Sequence, residues 1–340
     1  MAADQIDPDV EAGTSQPHQP PVVAIVTGFL ILAVIALSAF AWPAARLAPR
    51  ELPVAVAGQG AARVEAALAE RGDAFEVHRV ADEAAAREAI EQREVYGAII
   101  ATPDELHILT APAASNAVAQ LLTQFGITAT AAQPPGAARQ SLRITPVVPP
   151  AAGDPVGGVI AAAVLPLVLV GTATGIALTL LVASAWRRGA ALISVAVLSG
   201  FAAVLLAQGW LDALDGDWVL NGGVLSLTLL AIAAGIAGLG AVFGRPGLAI
   251  GAPLMIFVAN PFAGAASAPE LLPVPAGLIG QLMPPGAGAN LLRSTASFDS
   301  AGANAHVAVL ATWAVAGLAL LVVAGLRQRR TARREPAASR

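Results

Sequence analysis

The chain has 340 residues, of which 56% are hydrophobic and 12% charged, with a mean hydropathy of +0.69. Water-soluble domains carry about 25% charged residues, so a soluble multidomain protein is excluded. All 19 basic residues are Arg and there is no Cys, which removes disulfides, thiol nucleophiles and Cys-held metal centres.

A helix needs about 20 apolar residues to cross the hydrocarbon core of a bilayer. Six runs fit that length in chain order: 22–42, 159–186, 190–210, 218–243, 247–266 and 306–326. The expected fold class is therefore an α-helical integral membrane protein with six transmembrane helices. The first run exceeds a signal-peptide core and follows an acidic tail, so it reads as an uncleaved anchor. Residues 1–21 are acidic, hold Pro8, Pro17, Pro20 and Pro21, and read as a disordered cytoplasmic tail.

Arginine in short loops sets the orientation. Arg327, Arg329, Arg330, Arg333 and Arg334 mark 327–340 as a basic cytoplasmic tail. Counting back, Arg245 lies inside, Asp212, Asp215 and Asp217 outside, Arg187 and Arg188 inside, and residues 46–155 outside. Both termini are then cytoplasmic. The first span opposes this locally, because Arg46 and Arg50 follow it on the outer side; the later segments outvote it. Trp42, Trp186, Trp210 and Trp218 stand at span ends, as an aromatic belt requires, and Trp313 does not. The Ala-, Gly-, Pro- and Arg-rich composition points to a bacterial plasma membrane.

Residues 46–155 hold nine Arg and thirteen acids and are expected to fold in water. Strands are predicted at 52–57, 75–80, 96–101 and 106–110, and helices at 60–71, behind Asp82, and behind Ser115. A further strand is predicted at 141–148 within a Pro/Gly-rich linker. The order β-α-β-α-β-β-α makes an α/β extracytoplasmic domain between the first and second spans. His78 and His107 have a metal-site reading with Asp104 and Glu105; the plainer one is two strand histidines. Glu88, Glu91 and Glu94 read as a solvated helix face. With no G-x-S-x-G, H-E-x-x-H or Walker A motif, no enzyme, catalytic residue, metal or cofactor is expected. Any ATP hydrolysis must come from another chain, and nothing predicts a nucleic-acid partner.

Residues 156–326 form the expected five-helix transmembrane domain. Its span interiors carry no Asp, Glu, Lys or Arg, which argues against an ion relay. Gly171/Gly175, Gly240/Gly244 and Gly247/Gly251 have the spacing of close helix contacts. Asn260 and Pro261 predict a bend in the fifth span, either a hinge or an interfacial break. The stretch 269–305 is apolar but broken by Pro284, Pro285 and Gly286, and continues through Asn290 to Arg293. It reads as a re-entrant or interfacial hairpin on the outer face, with Arg293 at headgroup level.

This layout resembles the permease subunits of type-2 ABC exporters, in the branch with a large external domain that includes the YhgE/Pip-like membrane proteins. Arg93-Glu94-Val95-Tyr96-Gly97-Ala98-Ile99-Ile100 is similar to that family's helix-to-strand segment, and 284–293 to its run before the last span. The resemblance implies a transmembrane export subunit, working as a homodimer or heterodimer with a separate ATP-binding subunit that Arg187 and Arg188 would face. Two features depart from the family: residues 1–21 form no amphipathic helix, and the loop between the second and third spans is little more than 186–189. The second expectation is a non-transporting, membrane-anchored scaffold whose external domain binds an envelope partner or phage.

Overall fold

The computed structural model describes residues 22–132 and 140–334, with side chains described as far as Arg327. The 1–21 tail and the end of the basic tail lie outside the described residues. The chain divides into two compact units, Met1–Ser38 and Ala39–Arg340. Most of the first helix, α1 (Val22–Ala45), belongs to the former; it is apolar along its length.

Five strands form one sheet: β1 (Leu52–Ala57), β2 (Phe75–Arg79), β3 (Gly97–Ala101), β4 (Glu105–Thr110) and β5 (Ser141–Pro146). Their order is β2-β1-β3-β4-β5, with β3 and β4 antiparallel and the other neighbours parallel. Helices α2 (Ala61–Ala69), α3 (Glu83–Glu91) and α4 (Asn116–Ala131) cover it. Both expected N-caps are present: Asp82 Oδ1 accepts from Ala85 N at 2.9 Å and Ser115 Oγ from Val118 N at 3.3 Å. Alternate strand residues point to opposite faces. Leu52, Val54, Val56, Ile99 and Ile108 pack under α2 and α4, and Ala55, Ala98, Ile100 and Leu109 pack with α3. Each face also takes in residues from the helical half, Ala268 and Leu271 on one side and Phe298 on the other.

The helical half comprises α5 (Val159–Leu181), α6 (Ala185–Val204), α7 (Trp218–Phe243), α8 (Arg245–Pro253), α9 (Ala276–Gln281), α10 (Pro284–Ser297) and α11 (Ala303–Arg334). A π-helical turn extends α6 to Trp210 and another extends α8 to Ala259. Among the described residues five helices are long and apolar enough to cross a membrane: α1, α5, α6 with its extension, α7 and α11. The protein is an α-helical membrane protein with a small sheet.

Four sequence expectations change. The fifth apolar run, 247–266, is only the helix Arg245–Ala259. At about 1.5 Å per residue it is about 22 Å long, short of the roughly 30 Å core. Pro253 lacks an N–H, the ladder widens so that Asn260 N reaches Met255 O at 3.1 Å, and Pro261 cannot continue it. Asn260 and Pro261 therefore end this helix instead of bending a span. Pro284, Pro285 and Gly286 do not break a helix but start α10, where first-turn N–H groups have no intrahelical partner anyway. Arg187 and Arg188 lie within the first turn of α6, not in a loop; the turn from α5 is 182–184. Arg293, expected at headgroup level, is enclosed by protein, at 5% exposure.

Helix α7 is the axis of the bundle: 78% of its apolar window is buried, against 22–28% for α5, α6 and α11. Small residues set its neighbours close. Gly171 and Gly175 of α5 meet Ile232, Ala233 and Ile236, Gly200 of α6 meets Ser226, and Gly317 of α11 meets the Ala234 backbone. The Trp218 end of α7 faces the sheet, since Thr295 Oγ1 donates to Asn221 Oδ1 at 2.8 Å and Gly216 lies against the Thr295 carbonyl. Gly247 lies at the other end, against the Leu239 carbonyl. By Glu270 and Leu271 the chain is back beside the sheet, their carbonyls accepting from Arg50 N and Ala48 N at 3.0 Å each. Residues 245–270 thus run the length of α7.

From there α9 and α10 make a helical hairpin inserted into the bundle. Its turn lies beside the middle of α7: Leu282 O accepts from Trp313 Nε1 at 2.9 Å, and Met283 packs with Ile232 and Ile236. Helix α10 then returns antiparallel to α7, Gly288 against Thr228 and Thr295 against Asn221.

Candidate functional site: the sheet-to-hairpin node

The site begins with how α3 ends. Arg93 N donates to Ile90 O at 3.0 Å and Glu94 N to Ala89 O at 2.9 Å, the paired reversal that closes many helices. The residue at its centre adopts left-handed backbone and is usually Gly. Here it is Arg93, with φ of +60°. An L side chain in that conformation costs about 1–2 kcal/mol, so the position carries strain that Gly would relieve.

That backbone directs the Arg93 side chain out of the sheet domain and into the hairpin. Nη1 donates to Asn290 O at 2.8 Å and Ser294 Oγ at 2.5 Å, and Nη2 to Asn290 Oδ1 at 3.2 Å. The guanidinium also stacks over Phe298, 5.3 Å from the ring centre. Three residues on, Tyr96 OH donates to Glu270 Oε2 at 2.8 Å. Burial, reinforced by the Glu270 carboxylate, pushes the Tyr96 phenol far above its usual range, so it is a fixed donor. Burial lowers Arg93 from its ordinary value, which for a guanidinium still leaves it charged.

Asn290 joins the parts. Its Oδ1 accepts from Arg93 and, at 3.4 Å, from Arg293 Nη1, while its Nδ2 donates to Gln281 Oε1 at 2.6 Å. Gln281 Nε2 donates on to Ala263 O at 3.1 Å, and Arg293 Nη2 donates to Ala265 O. One amide thus links the sheet domain, both legs of the hairpin and the strand of chain behind it. A polar cavity of about 230 Å³ adjoins the node, lined by Arg93, Tyr96, Glu270, Asn290 and His306. Among the described residues neither arginine has a carboxylate within ion-pair distance.

Of the residues singled out in the sequence, Asn290 and Arg293 are in this node, and Pro284, Pro285 and Gly286 form the first turn of the helix that carries them. Gly286 lies against the Gly280 carbonyl, which leaves no room for a larger residue. Asn260 and Pro261 are not in the node; they line an apolar pocket beside 264–267. Arg187 and Arg188 are also apart from it. Arg188 caps α5, its Nε and Nη2 donating to Val182 O at 3.1 and 2.6 Å and Nη2 to Thr179 O at 3.0 Å. Arg187 is exposed. His78 and His107 sit on β2 and β4 with β1 and β3 between them. His107 meets Glu83 Oε2 at 3.3 Å and Thr145 Oγ1 at 2.9 Å. No cluster of three or more metal-ligating side chains occurs among the described residues.

Sequence reasoning named Arg93 and Tyr96 only as part of the 93–100 segment, and did not single out Glu270, Gln281 or Ser294. One signal was available for Arg93: a long charged residue where a helix stops just before a strand and Gly is the default. No protein family, curated protein or solved structure matches this chain.

Proposed function

We propose that the chain is the transmembrane subunit of an ABC-type exporter, driven by a separate ATP-binding subunit, with residues 46–155 outside a bacterial plasma membrane and both termini inside. The observation that carries this reading is the contact between two distant segments. Arg93–Ile100 and 284–293, the two stretches similar to the type-2 permease family, meet through Arg93 and Asn290. A domain bonded to the hairpin is placed to move with it.

In this reading the chain crosses the bilayer six times. The course of 245–270 along the whole of α7 supports a fifth crossing made by a short helix and an irregular strand, and the hairpin is re-entrant. Such backbone is tolerated at membrane depth where protein covers it, and here α7 and α11 do so. The chain has no Cys, so single substitutions report sidedness directly. Gly244→Cys should label only from the cytoplasmic side and Asp299→Cys only from outside; labelling of both from one side would refute the fifth crossing.

A second reading is a membrane-anchored scaffold that does not transport. What favours it is the three-residue turn 182–184, with Arg188 already consumed in capping α5. Purification of the full chain from its native membrane in mild detergent separates the two. The exporter reading requires a nucleotide-binding subunit to copurify with ATPase activity; its absence would leave the scaffold.

A further inference from the structure

Two cavities meet beside Arg293. The first, about 300 Å³, lies under the start of α4 and is lined by Ser115, Asn116, Gln120, Asp154 and Arg293 among others. The second, about 330 Å³, is lined chiefly by apolar groups, including Phe40, Leu47, Val164 and Leu165. Four alanines line both: Ala117, Ala161, Ala265 and Ala266. The two chambers therefore lie side by side, and at the boundary they share, which an amphiphile would use as a neck, only methyl groups project. Phe40, Leu47 and Leu165, at 40%, 48% and 42% exposure, put the apolar chamber next to surface that a bilayer would cover.

Arg293 stands at this neck, bonded to the Ala265 carbonyl. Its partners are that carbonyl and Asn290 Oδ1, both neutral, although a guanidinium has five N–H donors. A buried charge is costly unless an opposite charge accompanies it. The acids of the polar chamber do not serve. Asp154 accepts from Gly158 N at 2.9 Å and Val159 N at 2.7 Å with its two oxygens, and Asp215 is exposed. Glu270, hydrogen-bonded by Tyr96, offers one carboxylate to two buried guanidiniums, Arg93 and Arg293, and so leaves one positive charge over. The missing partner is an anion with an apolar body, for which the adjoining chamber has room.

We infer that the paired chambers bind a membrane amphiphile with a net-negative phosphate headgroup, its hydrocarbon in the apolar chamber and its phosphate against Arg293. As a statement about cargo this rests on the exporter reading; as a statement about binding it does not. The test therefore uses no ATPase and no nucleotide, and loss of the ATPase partner would sink the exporter reading alone.

The full chain is equilibrated in neutral detergent with equal amounts of dioleoylphosphatidylglycerol and dioleoylphosphatidylcholine, and bound lipid is counted by native mass spectrometry. The wild type should retain the anionic lipid at least ten-fold over the zwitterionic one. Arg293→Gln should bring the ratio near one, whereas Arg293→Lys and Arg245→Gln, the latter at the far end of α7, should keep it. Ala161→Phe fills the neck with Arg293 intact and should release both lipids, which decides the matter even if Arg293→Gln does not fold. Millimolar inorganic phosphate should not displace the lipid. Equal retention of the two lipids by the wild type, wild-type binding by Ala161→Phe, or displacement by free phosphate would each overturn the inference.

Discussion

The sheet domain and the helical bundle are built from the same Ala-rich composition but hold together by different means. In the sheet domain the fully buried side chains are large and branched: Leu52, Leu68, Ile99, Ile108 and Leu122. The bundle buries large side chains too, among them Leu192, Ile232, Ile236 and Leu291, but its long helices also approach one another closely at glycines, at Gly175, Gly200 and Gly317. Water explains the first. Removing about 25 cal/mol per Å² of apolar surface from water drives the sheet core together. Lipid tails are as apolar as Leu, so helices in a bilayer gain little from apolar bulk and much from close fit. The comparison teaches that side-chain volume should be missed in one half and resented in the other.

The largest effect expected is therefore an addition to the bundle. A Cβ at Gly317 would lie 2.3 Å from the Ala234 carbonyl carbon and oxygen, which as backbone cannot step aside. Gly317→Leu should force α11 off α7 and abolish a monodisperse peak in size-exclusion chromatography. The complementary deletion in the sheet, Ile108→Ala, leaves a cavity between α4 and the strands and should cost about 2–5 kcal/mol. Hydrogen exchange should then rise across β3 and β4 while α7 amides stay protected. If Gly317→Leu were tolerated as well as a surface change, the contrast between the halves would be wrong.

Arg93→Gly sharpens the comparison at the joint between them, because it should act with opposite sign on the two sides. Gly accepts left-handed backbone freely, so the end of α3 should gain about 1 kcal/mol of local stability. The hairpin loses three hydrogen bonds and a stacking partner, so α10 amides should exchange faster. Arg93→Ala keeps the strain and loses the bonds, and should loosen both. Equal protection of α10 in wild type and both variants would show that Arg93 does not hold the hairpin.

The two halves also differed in how far they could be read in advance. The strands, both N-caps and the strand at 141–146 were legible because alternation and capping are local signals. The five long apolar helices were legible by length. The node was not. Arg93 and Asn290 are 197 residues apart, and no periodicity connects them. Pro284 and Pro285 misled for a physical reason: a proline pair breaks a helix from within but opens one at its first turn, and only the packing of α10 decides which. Arg188 misled similarly. Its charge suggested a solvent-facing loop, but its donors are spent on the open carbonyls that end α5.

The smallest effect expected belongs to the sheet domain and tests whether its charges behave as surface charges. Glu83 accepts from Arg87 Nε at 3.0 Å and Nη2 at 2.7 Å and lies 3.3 Å from His107. The Arg87 hydrogen bonds, opposed by partial burial and aided by the charge of His107, hold its carboxyl below the ordinary value. A carboxyl whose folded pKa is depressed contributes stability that is complete above its unfolded pKa, near 4.3 for Glu, and is lost as pH falls through the folded value. Wild type and Glu83→Gln should therefore differ most above about pH 5 and converge in acid. The Glu83 side chain is 40% exposed, so water screens the pair and the gap should be below about 1 kcal/mol, shrinking further in 1 M salt. Exchange of α3 and β4 amides between pH 3 and 7 reads this, with α7 amides as the internal reference. A gap that widened in acid, or one that salt left unchanged, would mean that Glu83 acts through His107 and the buried strand rather than through its exposed pairing with Arg87.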